Sequence, residues 1–280
     1  MCFTSKNRTF SWGAVVFVGF VLSVYSNFAF SLASVSGFSV ASSIKNQTIK
    51  TRANHGDASA QYQLACQYRD GKGVARNIKK ALHYFLKSAD QGFAPAQIDL
   101  GQIYAVGNGV EKNLEAAFKW FKLAADQNFA SAQYNLATLY RTGRGTKADA
   151  ALARMYYEKS ARHGYAKAQY NLAVMHLHGL GMPKDLSKVV YWYRKAANNG
   201  FAMAQYQLAN LYLIGEGVDK NINLALKWYR AAADAGNKEA YDAKRALEAT
   251  ITALSASDKP GLDEDDASSI LESDFVSGQQ

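Results

Sequence analysis

Residues 202–233 read AMAQYQLANLYLIGEGVDKNINLALKWYRAAA, and this stretch decides the fold. Ala204, Leu208 and Tyr212 stand four apart, so they share one stripe of a helix. Gly215 follows, a residue that accepts the left-handed conformation closing a helix. Asn221 then offers a side-chain oxygen to an unpaired N–H of a new first turn, and Ala225, Tyr229 and Ala233 form a second four-residue stripe. The stretch is therefore two short helices joined by a glycine turn.

The same text recurs. Ala-Gln stands at Ala60-Gln61, Ala96-Gln97, Ala132-Gln133, Ala168-Gln169 and Ala204-Gln205, with a constant step of 36 residues. Gly-x-Gly keeps the step at Gly71/Gly73, Gly107/Gly109, Gly143/Gly145, Gly179/Gly181 and Gly215/Gly217. So do the aromatic pairs Tyr84-Phe85, Trp120-Phe121, Tyr156-Tyr157, Trp192-Tyr193 and Trp228-Tyr229. Three features in one register over five copies predict an all-α protein. The expected architecture is a right-handed α/α solenoid of five 36-residue helix pairs with a C-terminal capping helix. A lone pair buries too little apolar surface to offset its chain entropy, so copies must stack and the ends must differ from the middle. They do: the residue after each closing Gly or Asn is aromatic inside the array (Phe93, Phe129, Tyr165, Phe201) but Asp57 and Asn237 at its two ends. Lys244 and Arg245 replace the inner Leu and Ala of a sixth first helix, which gives the cap a wetter face.

The unit resembles the Sel-1-like repeat, a relative of the tetratricopeptide repeat, through its A-x-A-Q-Y-x-L-A core, its G-x-G turn and its W-Y pair. The resemblance covers residues 53–236 and departs mildly at Thr146, Met182, Val189 and His176. It implies an α/α superhelix that binds other proteins, frequently in exported bacterial factors or assembly complexes. Some secreted members carry a disulfide in each repeat, and some cysteine-rich relatives are linked to penicillin binding. Here Cys2 and Cys66 are the two cysteines, so that mode of stabilisation does not transfer.

The flanks read differently. Lys6 and Arg8 precede an apolar run from Trp12 to Tyr25, and Ser31-Leu32-Ala33 fits a small-x-small cleavage site. Residues 1–33 are thus expected to be an export signal, which would place the protein in the periplasm or outside the cell. The alternative is a retained anchor, because residues 12–35 exceed the about 20 needed to span a bilayer. Residues 34–52 read as a Ser-rich linker, 237–254 as the capping helix and 255–280 as an acidic disordered tail. Charge follows this division: residues 34–255 carry a net +13 and residues 256–280 a net −6, within a total of +9. The basic side chains are dispersed rather than gathered in one run, which argues against nucleic acid as a partner.

Signals for chemistry are weak, and the chain reads as a scaffold rather than an enzyme. Ser42-Ser43-Ile44-Lys45 matches the S-x-x-K of penicillin-recognising enzymes, but its partner motifs are absent from the sequence. A penicillin-binding or peptidoglycan-acting enzyme therefore remains a distant alternative. His176 and His178 lie roughly 200° apart around a helix and cannot jointly face one metal. No cofactor motif and no metal-ligand spacing occurs, so neither a metal nor a small-molecule cofactor is expected. Membrane contact is expected only if residues 12–35 are retained.

The binding face is read from what varies. On the first helices the positions that differ between copies share one face, and solenoids of this type turn their first helices to the concave side. One row on that face keeps a carboxylate or carboxamide in every copy: Gln63, Asp99, Asn135, Asn171 and Gln207, flanked by Gln102, Thr138 and Asn210. Carboxamides both donate and accept, as an extended peptide backbone requires. The expected ligand is a partner protein or peptide on this row. The expected setting is a free scaffold or, alternatively, a membrane-anchored regulatory or assembly subunit of the envelope.

Overall fold

The structure is a computed structural model that describes residues 44–256. The expected export signal, the acidic tail from residue 257 onward, and Ser42 of the S-x-x-K match lie outside these residues. The described residues are helical with no strand. Residues 44–54 form α1. Ten helices of 13 residues follow as five pairs: α2 (Ala58–Asp70) with α3 (Ile78–Asp90), α4 (Ala94–Val106) with α5 (Leu114–Asp126), α6 (Ala130–Thr142) with α7 (Ala150–Arg162), α8 (Ala166–His178) with α9 (Leu186–Asn198), and α10 (Ala202–Ile214) with α11 (Ile222–Asp234). The last helix is α12 (Lys238–Ala256). The fold is an α/α solenoid of helix pairs.

Two compact units divide at Ser88 and Ala89. In the N-terminal unit, Ile49 and Ala53 of α1 are buried against Ala60 and Leu64 of α2. Asn46 accepts a hydrogen bond from Gln67 at 2.8 Å. Part of the stretch expected as a linker over 34–52 is therefore a helix from residue 44. Ile49 and Ala53, spaced one helical turn apart, form an apolar stripe too short to stand out among its polar neighbours.

In the C-terminal unit each helix from α4 to α12 packs on the next. Ala96, Leu100, Ala132, Leu136, Ala168, Leu172, Ala204 and Leu208 are all 0% exposed, so the first-helix stripe is core. The second-helix stripe is buried with it at Ala117, Phe121, Ala153, Tyr157, Val189, Tyr193, Ala225 and Tyr229. On α12, Ala240 and Leu247 are buried while Lys244 and Arg245 lie over the exposed ring of Tyr241.

Helix ends follow the capping chemistry. The side chains of Asn113, Asp149, Asp185 and Asn221 accept hydrogen bonds from the backbone N–H three residues on, at 2.8–3.1 Å. At the array's ends Asp57 and Asn237 cap α2 and α12 in the same way. The aromatic residues that replace them inside the array make no side-chain cap. They pack instead: Tyr165 lies 5.1 Å from the ring of Tyr134, and Phe201 5.3 Å from that of Tyr170.

The Gln of each Ala-Gln has a structural task that its sequence periodicity alone did not reveal. Gln61, Gln97, Gln133, Gln169 and Gln205 are buried, and each donates its amide N–H to the carbonyl eight residues earlier, at Ala53, Ala89, Ala125, Ala161 and Ala197. That carbonyl lies in the last turn of the preceding helix, where it also accepts the backbone N–H three residues on, so the glutamine takes its second lone pair. The other end of the amide is satisfied unevenly. Gln127 and Asn199 donate to the side-chain oxygens of Gln97 and Gln169, at 2.8 and 2.9 Å, and also to the carbonyls of Gly92 and Gly164. Their equivalents are His163 and Ala235, and there the oxygens of Gln133 and Gln205 are buried without a partner.

A buried acceptor left unpaired costs about 1–3 kcal/mol. Ala235 has φ −81° and ψ 6°, close to the −83° and 12° of Asn199, so an Asn fits the backbone already present. Ala235→Asn is expected to raise stability by about 1 kcal/mol, or the melting temperature by about 2–4 °C. A melting temperature at or below that of the parent would show that the buried oxygen of Gln205 is not a cost.

Candidate functional site

The predicted row rises from the first helices. In the N-terminal unit Gln63 is exposed on α2. In the C-terminal unit Asp99 (α4), Asn135 (α6), Asn171 (α8) and Gln207 (α10) are half-buried, as are Thr138 and Asn210, whereas Gln102 is exposed. Half-burial is a difference from a freely solvated face, and it has a cause underneath.

At Thr138, Asn171 and Asn210 that cause is the second residue of an aromatic pair. Tyr157 is 0% exposed, yet its hydroxyl emerges between two predicted positions. It lies 2.9 Å from the Thr138 hydroxyl and accepts from Asn171 Nδ2 at 3.2 Å, with Arg141 Nε at 3.4 Å. Tyr157 thus ties residues of two successive pairs together. Tyr229 donates to Asn210 Oδ1 at 2.6 Å, and Asn210 donates in turn to Gln207 at 3.5 Å. Burial pushes the phenol of Tyr229 well above its usual range, with the nearby Tyr206 adding to the shift, so it stays a neutral donor.

The other positions lack this tether for identifiable reasons. Phe121 takes the place of Tyr157 in the preceding pair and has no hydroxyl, and Asn135 makes no hydrogen bond among the described residues. Tyr193 has its hydroxyl, but Val174 stands where Thr138 and Asn210 stand in their pairs. Beside the row, Tyr134, Tyr170 and Tyr206 lean on Tyr157, Tyr193 and Tyr229 with ring centroids 5.4–5.8 Å apart. The face is therefore a set of carboxamides and hydroxyls set between tyrosine rings. The second ring of each aromatic pair is buried, as its place on the second-helix stripe implies, whereas Tyr84, Trp120, Trp192 and Trp228 are half-buried; the hydroxyls were not read from the sequence. The signal was present as the change from Phe85 and Phe121 to Tyr157, Tyr193 and Tyr229.

The other candidates separate. His176 is 6% exposed and His178 is exposed at the end of α8. Burial, followed by the charge of Lys188, holds the His176 imidazole below its ordinary pKa. Cys66 is a half-buried cysteine on α2. Lys45 of the S-x-x-K match lies exposed in α1. Among the described residues, no group of three or more His, Cys, Asp or Glu could hold a metal, and no helix is long and apolar enough to cross a membrane.

Comparison with known proteins agrees with the helix-pair fold. The Sel1 repeat pattern matches residues 58–93, 94–129, 130–165, 166–201 and 202–237. A Sel1 repeat protein from Oxalobacter formigenes is 35% identical over 67% of this chain and 74% of its own, with a TM-score of 0.64. The protein c5321, a protective antigen of uropathogenic Escherichia coli with an SLR fold, is 28% identical over 84% of this chain, with a TM-score of 0.71. The match takes in 49% of that antigen, so this chain corresponds to about half of it. No curated protein matches. Sel1-repeat proteins are in general protein-interaction scaffolds. Each of the five matches spans one helix pair and the turn after it, and together they run unbroken from residue 58 to residue 237: this chain belongs to the Sel1 repeat family.

Proposed function

We propose that the chain is an exported scaffold that binds an extended segment of a partner protein along the first-helix row, on the concave side of the solenoid. The observation that carries this reading is the pair of buried tyrosines beneath the row. Tyr157 and Tyr229 hydrogen-bond to Thr138, Asn171 and Asn210 and so restrict their side chains. Side chains ordered before binding lose less entropy on binding. Each carboxamide has more than one N–H and an oxygen with two lone pairs, so a single internal bond leaves capacity for a peptide backbone. Asn135, Gln207 and Asp99 extend the row and Gln102 flanks it; Gln63 is the equivalent position of the first copy, in the N-terminal unit. Export rests on Lys6, Arg8 and the apolar run that follows them. The retained-anchor alternative would make the same scaffold a membrane-held subunit.

Asn135 is the cleanest probe, because it makes no internal hydrogen bond. Asn171→Ala, by contrast, also removes a bond to Tyr157 and costs about 1 kcal/mol of stability. Asn135→Ala is expected to leave the melting temperature unchanged. It should lower recovery of a crosslinked partner from the native host's envelope about fivefold, the loss of roughly one hydrogen bond. Recovery equal to the parent's would move the site off this row. Mass spectrometry of the recovered bait should show an N-terminus near Ser34; an intact Met1 in the membrane fraction would favour the anchored subunit.

A further inference from the structure

The fourth pair departs from its neighbours at one interior position. Tyr104, Tyr140 and Tyr212 stand in the last turn of α4, α6 and α10, and α8 has His176 there. In the third pair Tyr140 fills this place and stacks on Tyr156, 5.9 Å between centroids and 7° between planes. The smaller imidazole leaves space. A pocket of about 600 Å³ opens between α7, α8, the turn after α8 and α9, with Met182, Pro183 and Trp192 as its apolar wall.

Its polar lining is unbalanced. Arg154, Arg162, Lys184 and Lys188 face it together with Glu158 and Asp185. Arg154 pairs with Glu158 at 3.0 Å and Lys188 with Asp185 at 3.4 Å. Arg162 and Lys184 have no ion pair among the described residues, which leaves two positive charges over. Two buried nitrogens also stand without partners, Arg154 Nε and His176 Nδ1. The remaining imidazole nitrogen of His176 makes no hydrogen bond among the described residues. Charge excess and unpaired N–H donors around an apolar wall suit an acceptor-rich dianion with a flat organic group. The volume lies within the range of small-molecule sites.

We propose that this pocket binds a small organic phosphate monoester, its oxyanion held by Arg154, Arg162, Lys184 and His176 and its organic group laid against Trp192. The site is independent of the peptide-binding row. Isothermal titration of the full chain with phenyl phosphate tests it. Saturable one-to-one binding is expected. Arg162→Gln with Lys184→Gln should weaken it by about tenfold or more, since each removes a charge-assisted contact. His176→Tyr places in the pocket the residue that the other copies carry, and should abolish binding while helicity and melting temperature are kept. Benzoate, with the same ring and one charge, should bind more weakly than phenyl phosphate, and so should inorganic phosphate, with the charge and no ring. The proposal is overturned by an absence of saturable binding to the parent, by equal affinity in His176→Tyr, or by either comparison anion binding as tightly as phenyl phosphate.

Discussion

Leu136→Ala is expected to lower stability by about 2–5 kcal/mol, the range for a leucine truncated in a packed core. Leu136 is 0% exposed. It belongs to one continuous cluster with Ala117 and Phe121 of the pair before it, Ala153 and Tyr157 of its own pair, and Ala168 and Leu172 of the pair after it. A cavity there is walled by two rigid interfaces, and neither can close without opening the other. The cost should fall in the upper half of the range for that reason. Leu247→Ala is the comparison. Leu247 is 1% exposed, but it sits on the terminal α12, where α11 is the neighbour it packs with. An end helix can shift inward to fill the space, so the loss should be smaller. Urea unfolding followed by circular dichroism measures both. Because stability in a repeat array is a sum over pairs and their interfaces, a loss below about 1 kcal/mol for Leu136→Ala would mean that the pairs do not share a core.

The helix pairs were legible in the sequence because each rule acts locally and recurs. The Ala-Leu-Tyr stripe marks the inner face, and Gly143 or Asn113 marks an end whose chemistry involves only the next few residues. Five copies in one register turn a weak local preference into a strong one. What escaped notice acts across copies or lies outside the period. Gln97 was visible as a repeated letter, but its role depends on a carbonyl of the preceding helix and on Gln127, 30 residues away. Tyr157 looked like any core aromatic, because its hydroxyl finds Asn171 only after two pairs have stacked. Helix α1 lacks the repeat, so its short stripe of Ile49 and Ala53 had nothing to reinforce it. The polar row itself was read as a face, and the tyrosines that tie parts of it down were not. His176 was read as unable to share a metal with His178 and as a mild departure from the repeat; it is buried, and a pocket lies beside it where the other copies carry a tyrosine.

Gly145→Ala is expected to cost about 3 kcal/mol, and the argument separates two effects that a glycine at positive φ usually confounds. Gly145 has φ +74°, where a Cβ carries a penalty of about 1–2 kcal/mol. It also faces the preceding pair. A Cβ there would collide with the backbone carbonyl of Leu114, the first residue of α5. That carbonyl belongs to a helix start already held by the bond from Ala116 N–H to the Asn113 side chain. Backbone so constrained cannot move aside as the end of a flexible side chain can. Gly181 and Gly217 make the same approach, to Ala150 and Leu186, so in these three turns the second glycine is where one pair is pressed against the next. Gly164→Ala supplies the control. Gly164 has φ +81°, but nothing lies within 4 Å of the position its Cβ would take. Asn128 occupies the equivalent site at φ 64°, so a side chain is tolerated there. Gly164→Ala should therefore cost only the conformational part, about 1 kcal/mol. The difference between the two substitutions, about 2 kcal/mol, measures the close approach of α5 to the turn after α6. Equal losses in urea unfolding would show that the turn glycines serve backbone conformation alone and that the pairs are held together by their apolar stripes.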